Sequence, residues 1–547
     1  ADVLIAEDQV FTWYPSRGEE GFAEAVRTPV PTDEERGPRV LHHGGGETIV
    51  LADFDGDGLT DIARIRNGQV CYWPNYGYGR FGAMIEMDHA PMFDAADQFD
   101  PSRLRLADVD GSGVTDLIYL GREGARIWFN QAGNSWSEPQ EVPGFPIAAQ
   151  TDTVTVVDLL GNGTACLVWS SPQPMEERSP MKYIPLMAEG KPHLLTRFRN
   201  NLGAETHIHY APSTYFYLQD KRAGRPWLTK LPFPVHTVER VETIDHISGL
   251  RFTTRYAYHH GYYDGIEREF RGFGMVEQWD AELIAEDGES SAGAGLEPSL
   301  QLPPVYTKTW FHTGFYADHR HVSDAFALYG GPDGKGEYYR EPGLTDEQAR
   351  ALLLPDTMLP HGLSADEERE ACRALRGSML RQEIYALDGS AKEPHPYSVV
   401  EQNFSVRAVQ RRGSHRHGVY AVHPGEMIRY EYERDPNDPR ITHVLTIETD
   451  AYGNVLKEAV AAYGRRSPDP ELPAADQAVQ ARMFVTYTER KYTNSIGAED
   501  AAGDHYRTPL IAETRTYELT GYVPTGPAGR LQFSDLGHVY IKLQFSP

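Results

Sequence analysis

Along much of the chain after Leu186, apolar and polar residues alternate with a period of two, as in Glu205-Thr-His-Ile-His-Tyr210, Phe252-Thr-Thr-Arg-Tyr-Ala-Tyr258 and Met427-Ile-Arg-Tyr-Glu-Tyr-Glu433. That period puts successive side chains on opposite faces of a sheet, so it predicts long antiparallel strands with one wet face. Residues 1–185 show shorter apolar runs, each ending at an aromatic pair and a Gly-containing turn. The aromatic steps are Trp13-Tyr14, Tyr72-Trp73 and Trp128-Phe129, and the turns are Pro15-Ser-Arg-Gly18, Pro74-Asn-Tyr-Gly77 and Asn130-Gln-Ala-Gly133. Helical periodicity is confined to a small island. Ser364-Ala-Asp-Glu367 reads as a capping box whose helix stops near Gly377, and Thr345–Leu354 is similar. The stretch Ala281–Leu302, rich in Glu, Ser, Ala and Gly, reads as a loop. The fold class is therefore all-β, with a small helical insertion.

The short runs repeat. Asp53-Phe-Asp55-Gly-Asp57-Gly-Leu-Thr-Asp61 recurs without a gap as Asp108-Val-Asp110-Gly-Ser112-Gly-Val-Thr-Asp116, and in decayed form as Asp158-Leu-Leu160-Gly-Asn162-Gly-Thr-Ala-Cys166. A unit of about 50 residues with several short strands is the size of a propeller blade. Carboxylates at alternate positions with glycine between them can turn their oxygens onto one hard cation, and calcium is its natural identity. The expected ligands of the first loop are the side chains of Asp53, Asp55, Asp57 and Asp61 with the Leu59 carbonyl. Those of the second are Asp108, Asp110, Ser112 and Asp116 with the Val114 carbonyl. The third loop, with Leu160 and Cys166 in place of two carboxylates, is expected to hold nothing. A plainer reading makes all three simple Asp/Gly turns between strands. No helical pattern flanks them and the bidentate Glu of an EF-hand is missing. Any calcium would be structural.

Composition narrows the partners. A formal net charge of −27 disfavours a nucleic-acid backbone or an anionic membrane surface. Cys71, Cys166 and Cys372 have neither disulfide-scaffold nor metal-ligand spacing. No apolar run reaches the roughly 18 residues of a membrane helix, so no direct membrane insertion is expected. The opening residues lack the pattern of a signal peptide, and the chain is expected to enter in mid-repeat.

The Asp-x-Asp-Gly-Asp/Ser-Gly loops resemble FG-GAP/VCBS repeats, which build calcium-binding β-propellers. Lys230–Glu242, Tyr256-Ala-Tyr-His-His-Gly-Tyr-Tyr-Asp-Gly265, Arg268–Glu277, Leu380–Gly389, Tyr397–Asn403, Tyr430–Arg434 and Asp438–Ile441 resemble the SpvB-type and Tc insecticidal toxin complex B-component family. The turn Asp450-Ala-Tyr-Gly-Asn-Val455 is similar to an Rhs/YD repeat. The resemblance implies a secreted, extracellular, non-enzymatic part of a toxin complex. Its propeller would dock onto and gate a pore-forming A-type component. Its shell, closed with a C-type Rhs component, would encapsulate a cytotoxic effector. Expected boundaries are 1–185 for the last propeller blades, 186–340 for the first part of the shell, 341–378 for the helical insertion and 379–547 for the continuing shell, which would run on past residue 547.

Other chemistry is thin. His207-Ile-His209, His319-Arg-His321 and His415-Arg-His417 would each place two imidazoles on one face of a strand, yet no third zinc ligand is visible. His259-His260 is expected to pack between aromatics. There is no GxSxG, HExxH or phosphate-loop motif, and no carboxylate pair stands out. Two readings from other classes are a calcium-dependent adhesion or carbohydrate-binding surface protein and a propeller-based hydrolase.

Overall fold

The computed structural model describes the chain apart from residues 1, 8, 18–20, 39–45, 96–97, 146–151, 173–178, 282–302, 319, 332–333, 498–505 and 537–547. The expected loop Ala281–Leu302 falls, after Ala281, outside the described residues. The chain divides into two compact units, Ala1–Leu195 with Phe233–His236, and Thr196–Pro232 with Thr237–Pro547.

Among the described residues the first unit is built of four successive small antiparallel sheets and a two-stranded ladder of Asn130–Gln131 with Ser135–Trp136. The first comprises Val3–Ala6, Val10–Tyr14 and Val26–Pro29, and the second Glu47–Ala52, Asp61–Arg66, Gln69–Trp73 and Ile85–Glu86. The third comprises Leu104–Ala107, Asp116–Leu120, Ala125–Trp128 and Gln140–Val142, and the fourth Thr153–Val157, Cys166–Ser170 and Met181–Pro185. The middle strands read as almost continuous apolar runs because both of their faces are covered. Ile62, Cys71 and Trp73 pack with Phe11 of the first sheet, while Ala63, Ile65, Val70 and Tyr72 pack with Leu117, Tyr119 and Trp128 of the third. Ile118 and Ile127 in turn face Val154, Leu167 and Trp169 of the fourth. Alternate residues of one strand thus serve two neighbouring cores, each fully buried side chain contributing roughly 1.5–3 kcal/mol.

The second unit is one sheet of 13 strands, each next to its neighbour in the chain. They are Arg197–Arg199, Ala204–Pro212, His236–Asp245, Arg251–Asp264, Glu269–Ala281, Val305–Phe311, Met379–Ala386, Ser398–Gln410, Val419–Glu431, Arg440–Thr449, Val455–Ala462, Phe484–Tyr492 and Ile511–Leu519. Neighbouring strands run antiparallel, as in Trp279 opposite Tyr306 and Tyr306 opposite Tyr385. Between Phe311 and Met379 the chain leaves the sheet to form the helices Ala325–Leu328, Asp346–Ala351 and Ala365–Ala374. Both predicted capping boxes are present, at Thr345–Gln348 and Ser364–Glu367. This excursion supplies apolar cover: Phe326 and Tyr338 pack on Met275 and Trp310, and Ala371, Cys372 and Leu375 on Val406. A further helix, Ser213–Arg222, places Phe216 against Tyr258. All three cysteines are buried and free. Among the described residues no helix is long and apolar enough to cross a membrane.

Candidate metal centre

Each Asp loop joins the outer strand of a sheet to the next strand, and its last aspartate is the first residue of that strand. Gly56 and Gly58 sit at φ +82° and +83°, and Gly111 and Gly113 at +72° and +96°. In this left-handed region a Cβ is strained, so glycine is what lets the loop coil tightly enough for alternate carboxylates to converge. Asp53 caps the coil, accepting from the backbone N–H of Gly56 at 2.7 Å and of Gly58 at 2.9 Å. Asp108 accepts from Gly113 at 3.1 Å.

The closing aspartates anchor the arrangement. Asp61 and Asp116 are both fully buried. Asp61 accepts from the N–H of Phe54 at 2.9 Å and of Asn75 at 2.8 Å, and Asp116 from that of Val109 at 2.8 Å and of Asn130 at 2.9 Å. Burial pushes the Asp61 carboxyl up to about 6; its two backbone donors pull the other way and the nearby Asp55 and Asp53 push further up. Asp116 is raised in the same way to about 7, with Asp110 and Asp108 as the neighbouring charges. Each loop therefore concentrates negative charge that a cation would relieve.

One oxygen each from Asp53, Asp55 and Asp61 lie within 4.8 Å of one another, and so do those of Asp108, Asp110 and Asp116. These all-oxygen sets fit a hard cation such as calcium. Asp57 is not in the first trio; its carboxylate accepts from the Leu59 N–H at 2.7 Å, which places the Leu59 carbonyl on the same turn. Ser112 donates its backbone N–H to Asp110 at 2.9 Å, and Val114 is buried beside Gly56. The third loop keeps the coil, with Asp158 accepting from Asn162 at 3.0 Å and Gly163 at 2.8 Å. With Cys166 buried in place of the closing aspartate, no acidic trio forms there among the described residues.

Two side chains at the second loop escape sequence reasoning. His193 Nε2 lies 3.0 Å from Asp110 Oδ2, and Lys191 passes over Gly111. Burial works against the Asp110 charge, but hydrogen bonds from Ser112 and His193 hold its carboxyl below the usual range. Both residues follow the fourth sheet and no spacing rule connects them to the loop.

Among the described residues the histidine pairs do not assemble into zinc sites. His207 bonds Glu205 at 2.8 Å while the buried His209 Nε2 has no partner. His415-Arg-His417 lies in a turn and not on a strand. His321 bonds Asp324 at 3.0 Å, and His319 is outside the described residues. The expected aromatic packing holds for His260, whose ring is 5.1 Å from that of Phe326. His259 departs from it, lying between the carboxylates of Asp220 and Glu277 because buried partners from distant segments meet there.

Residues 129–314 match the family described as the insecticide toxin TcdB middle/N-terminal region, and residues 370–503 the one described as the TcdB middle/C-terminal region. The chain belongs to the Tc toxin B-component family. A chain in the structure of the Photorhabdus luminescens Tc holotoxin pore, which carries a mutation in TccC3, is 28% identical to this B-component chain and superposes on 98% of it with a TM-score of 0.78. The crystal structure of TcdB2–TccC3–Cdc42 matches 96% of it at 28% identity and a TM-score of 0.74, and that of TcdB2–TccC3 without its hypervariable C-terminal region 96% at 28% and 0.73. The B-component chain spans 24% of each of these chains. No curated protein matches it.

Proposed function

We propose that this chain is a non-catalytic part of the B component of a Tc/Rhs-type toxin complex. The first unit contributes blades of the propeller that docks onto and gates a pore-forming A-type component. The second contributes strands of a shell that, with a C-type Rhs component, encloses an effector outside the producing cell. The observation that carries this reading is the 28% identity to a chain of the Tc holotoxin pore across 98% of the present chain. Two structural features support it. Among the described residues the 13-strand sheet pairs on one side only at its outer strands, Arg197–Arg199 and Ile511–Leu519, and such edges accept further strands until a shell closes. Buried ion pairs also tie its neighbouring strands together, as Arg381 of one does with Glu401 opposite it on the next.

Calcium in this reading is structural. Asp53, Asp55, Asp57 and Asp61 with the Leu59 carbonyl would hold one ion, and Asp108, Asp110, Ser112 and Asp116 with the Val114 carbonyl a second. The ions would offset the repulsion among converged carboxylates and pin the loops of two consecutive blades.

Native mass spectrometry with peptide identification, on the particle purified from its source, tests the proposal. A particle several times the mass of this chain and containing a C-type Rhs sequence is the expected result. A free species, with no binding to A- or C-type components on mixing, would overturn it.

A further inference from the structure

A cavity of about 150 Å³ in the second unit is lined by Asp220, Arg225, His259, Glu277, Lys308 and Glu337, among others. His259 stands at its floor, 8% exposed, and both of its ring nitrogens meet carboxylates. Nδ1 is 2.5 Å from Asp220 Oδ2, on the helix Ser213–Arg222, and Nε2 is 3.2 Å from Glu277 Oε2, on the strand Glu269–Ala281. A carboxylate only accepts, so both nitrogens have to donate, and an imidazole that donates twice is protonated. The adjacent His260 is the opposite case. Its Nδ1 accepts from the Leu228 N–H at 3.0 Å, so its Nε2 carries the proton donated to Glu337 Oε1 at 2.8 Å.

The remaining partners are also assigned. Asp220 further accepts from Trp227 Nε1 at 2.9 Å and pairs with Arg225 at 3.1 Å. Glu277 accepts from the Tyr306 hydroxyl, with Lys308 nearby, and Glu337 accepts from Trp310 Nε1 at 3.0 Å. One proton on His259 therefore balances charges contributed by a helix and a strand.

Asp220 is one of the few buried side chains by which the helix meets the sheet. The helix has Pro212 as its N-cap, which makes no side-chain capping bond, and its buried residues are Ser213, Phe216 and Asp220. We propose that the His259 imidazolium is a proton-operated latch that fastens the helix Ser213–Arg222 to the sheet, and that alkaline deprotonation of His259 releases the helix. Loss of the proton leaves a neutral ring facing two buried carboxylates, with a donor for only one of them. The open cavity gives water and hydroxide a route to the ring. Burial resists the charge on His259, but the bonds to Asp220 and Glu277 outweigh it and lift the group to about 9, which puts the release in moderately alkaline solution.

Amide hydrogen–deuterium exchange on the whole chain, corrected for the intrinsic effect of pH, tests the latch. Between pH 7 and pH 10, protection of residues 213–228 is expected to fall on the order of tenfold or more, while the strand pair Arg440–Thr449 and Val455–Ala462 stays protected. His259→Gln should show the low protection already at pH 7 and lose its pH dependence. Equal corrected protection of the parent at both pH values would overturn the proposal, as would a variant that keeps the parental profile. If His259→Gln fails to fold, the carbon-13 titration of His259 in the parent decides: a midpoint above pH 8 supports the latch, and one at or below 6.5 refutes it.

Discussion

The Asn130 side chain donates its Nδ2 to the Phe54 carbonyl oxygen at 2.9 Å, a buried hydrogen bond that joins the turn after Trp128 to the first Asp loop. The same amide reaches the Thr115 carbonyl at 3.1 Å and accepts from the Gly133 N–H at 2.8 Å. Asn75, its counterpart one repeat earlier, makes the equivalent bonds to Thr60 and Gly77, both at 2.8 Å. Asn130→Ala leaves the Phe54 and Thr115 carbonyls without this donor, and is expected to cost about 2 kcal/mol. Thermal unfolding followed by tryptophan fluorescence measures it; an unchanged midpoint would show that water replaces the amide at no cost.

For the Asp loops, calcium is expected to raise the thermal midpoint of the parent chain and EDTA to lower it. An ion that binds the native but not the unfolded chain at about a hundred times its Kd adds roughly 2.7 kcal/mol. Asp55→Ala and Asp110→Ala should each reduce this calcium dependence. A parent whose midpoint is the same in calcium and in EDTA would refute calcium stabilisation.

His312 sets an acid limit. Its ring is wholly buried, with Nε2–H donating to the Val322 carbonyl at 2.7 Å and Nδ1 accepting from the Gly314 N–H at 2.9 Å, which fixes the neutral form. Burial lowers the group to about 4 from its ordinary 6.5. The unfolded chain therefore takes up a proton that the native chain refuses. Stability is unaffected by this group above pH 6.5, falls as pH drops from 6.5 to about 4, and is then level, the total being roughly 3 kcal/mol. Urea unfolding of the parent and of His312→Gln across this range checks the sign. Equal acid sensitivity in the two proteins would remove His312 from the account.

Arg381 is a buried cation of the sheet. Its Nε lies 2.7 Å from Glu383 Oε1 and its NH1 2.5 Å from Glu401 Oε2. Those carboxylates also accept from the backbone of the helical excursion, Glu383 from Tyr339 at 2.8 Å and Glu401 from Leu354 at 2.7 Å. Arg381→Met strands two buried carboxylates and is expected to cost about 3–5 kcal/mol. Adding Glu383→Gln and Glu401→Gln should recover part of it. A single variant as stable as the parent by thermal unfolding would contradict this.

What the sequence made legible follows from how local each signal is. The Asp/Gly loops, the alternating strands and the capping boxes at Thr345 and Ser364 depend on neighbours a few residues away, and they appear in the structure where the pattern puts them. The helix Ser213–Arg222 was hidden because its aromatic run lacks a capping side chain and shows weak amphipathicity. The excursion from the sheet begins directly after Phe311, well before the helical periodicity that suggested residue 341, because its first part is held by contacts such as Asp356 with Val322 and Ser323 and not by helix. The first compact unit likewise runs to Leu195 and takes back Phe233–His236, against an expected boundary at 185. His193 on Asp110 and His259 between Asp220 and Glu277 were invisible for one reason: their partners come from far along the chain, and only the fold brings them together.

The strict chain order of the 13 strands bears on how the sheet can form. Each strand pairs with the one before it, so closing a pair needs only a short stretch of new chain and little loop entropy. The sheet can therefore grow like a zipper from its N-terminal strands as the chain leaves the ribosome, without waiting for distant segments. The one long detour, from Phe311 to Met379, delays the meeting of the strands on either side of it. It is the step at which growth should pause, and at which an exposed strand edge would wait longest for its partner.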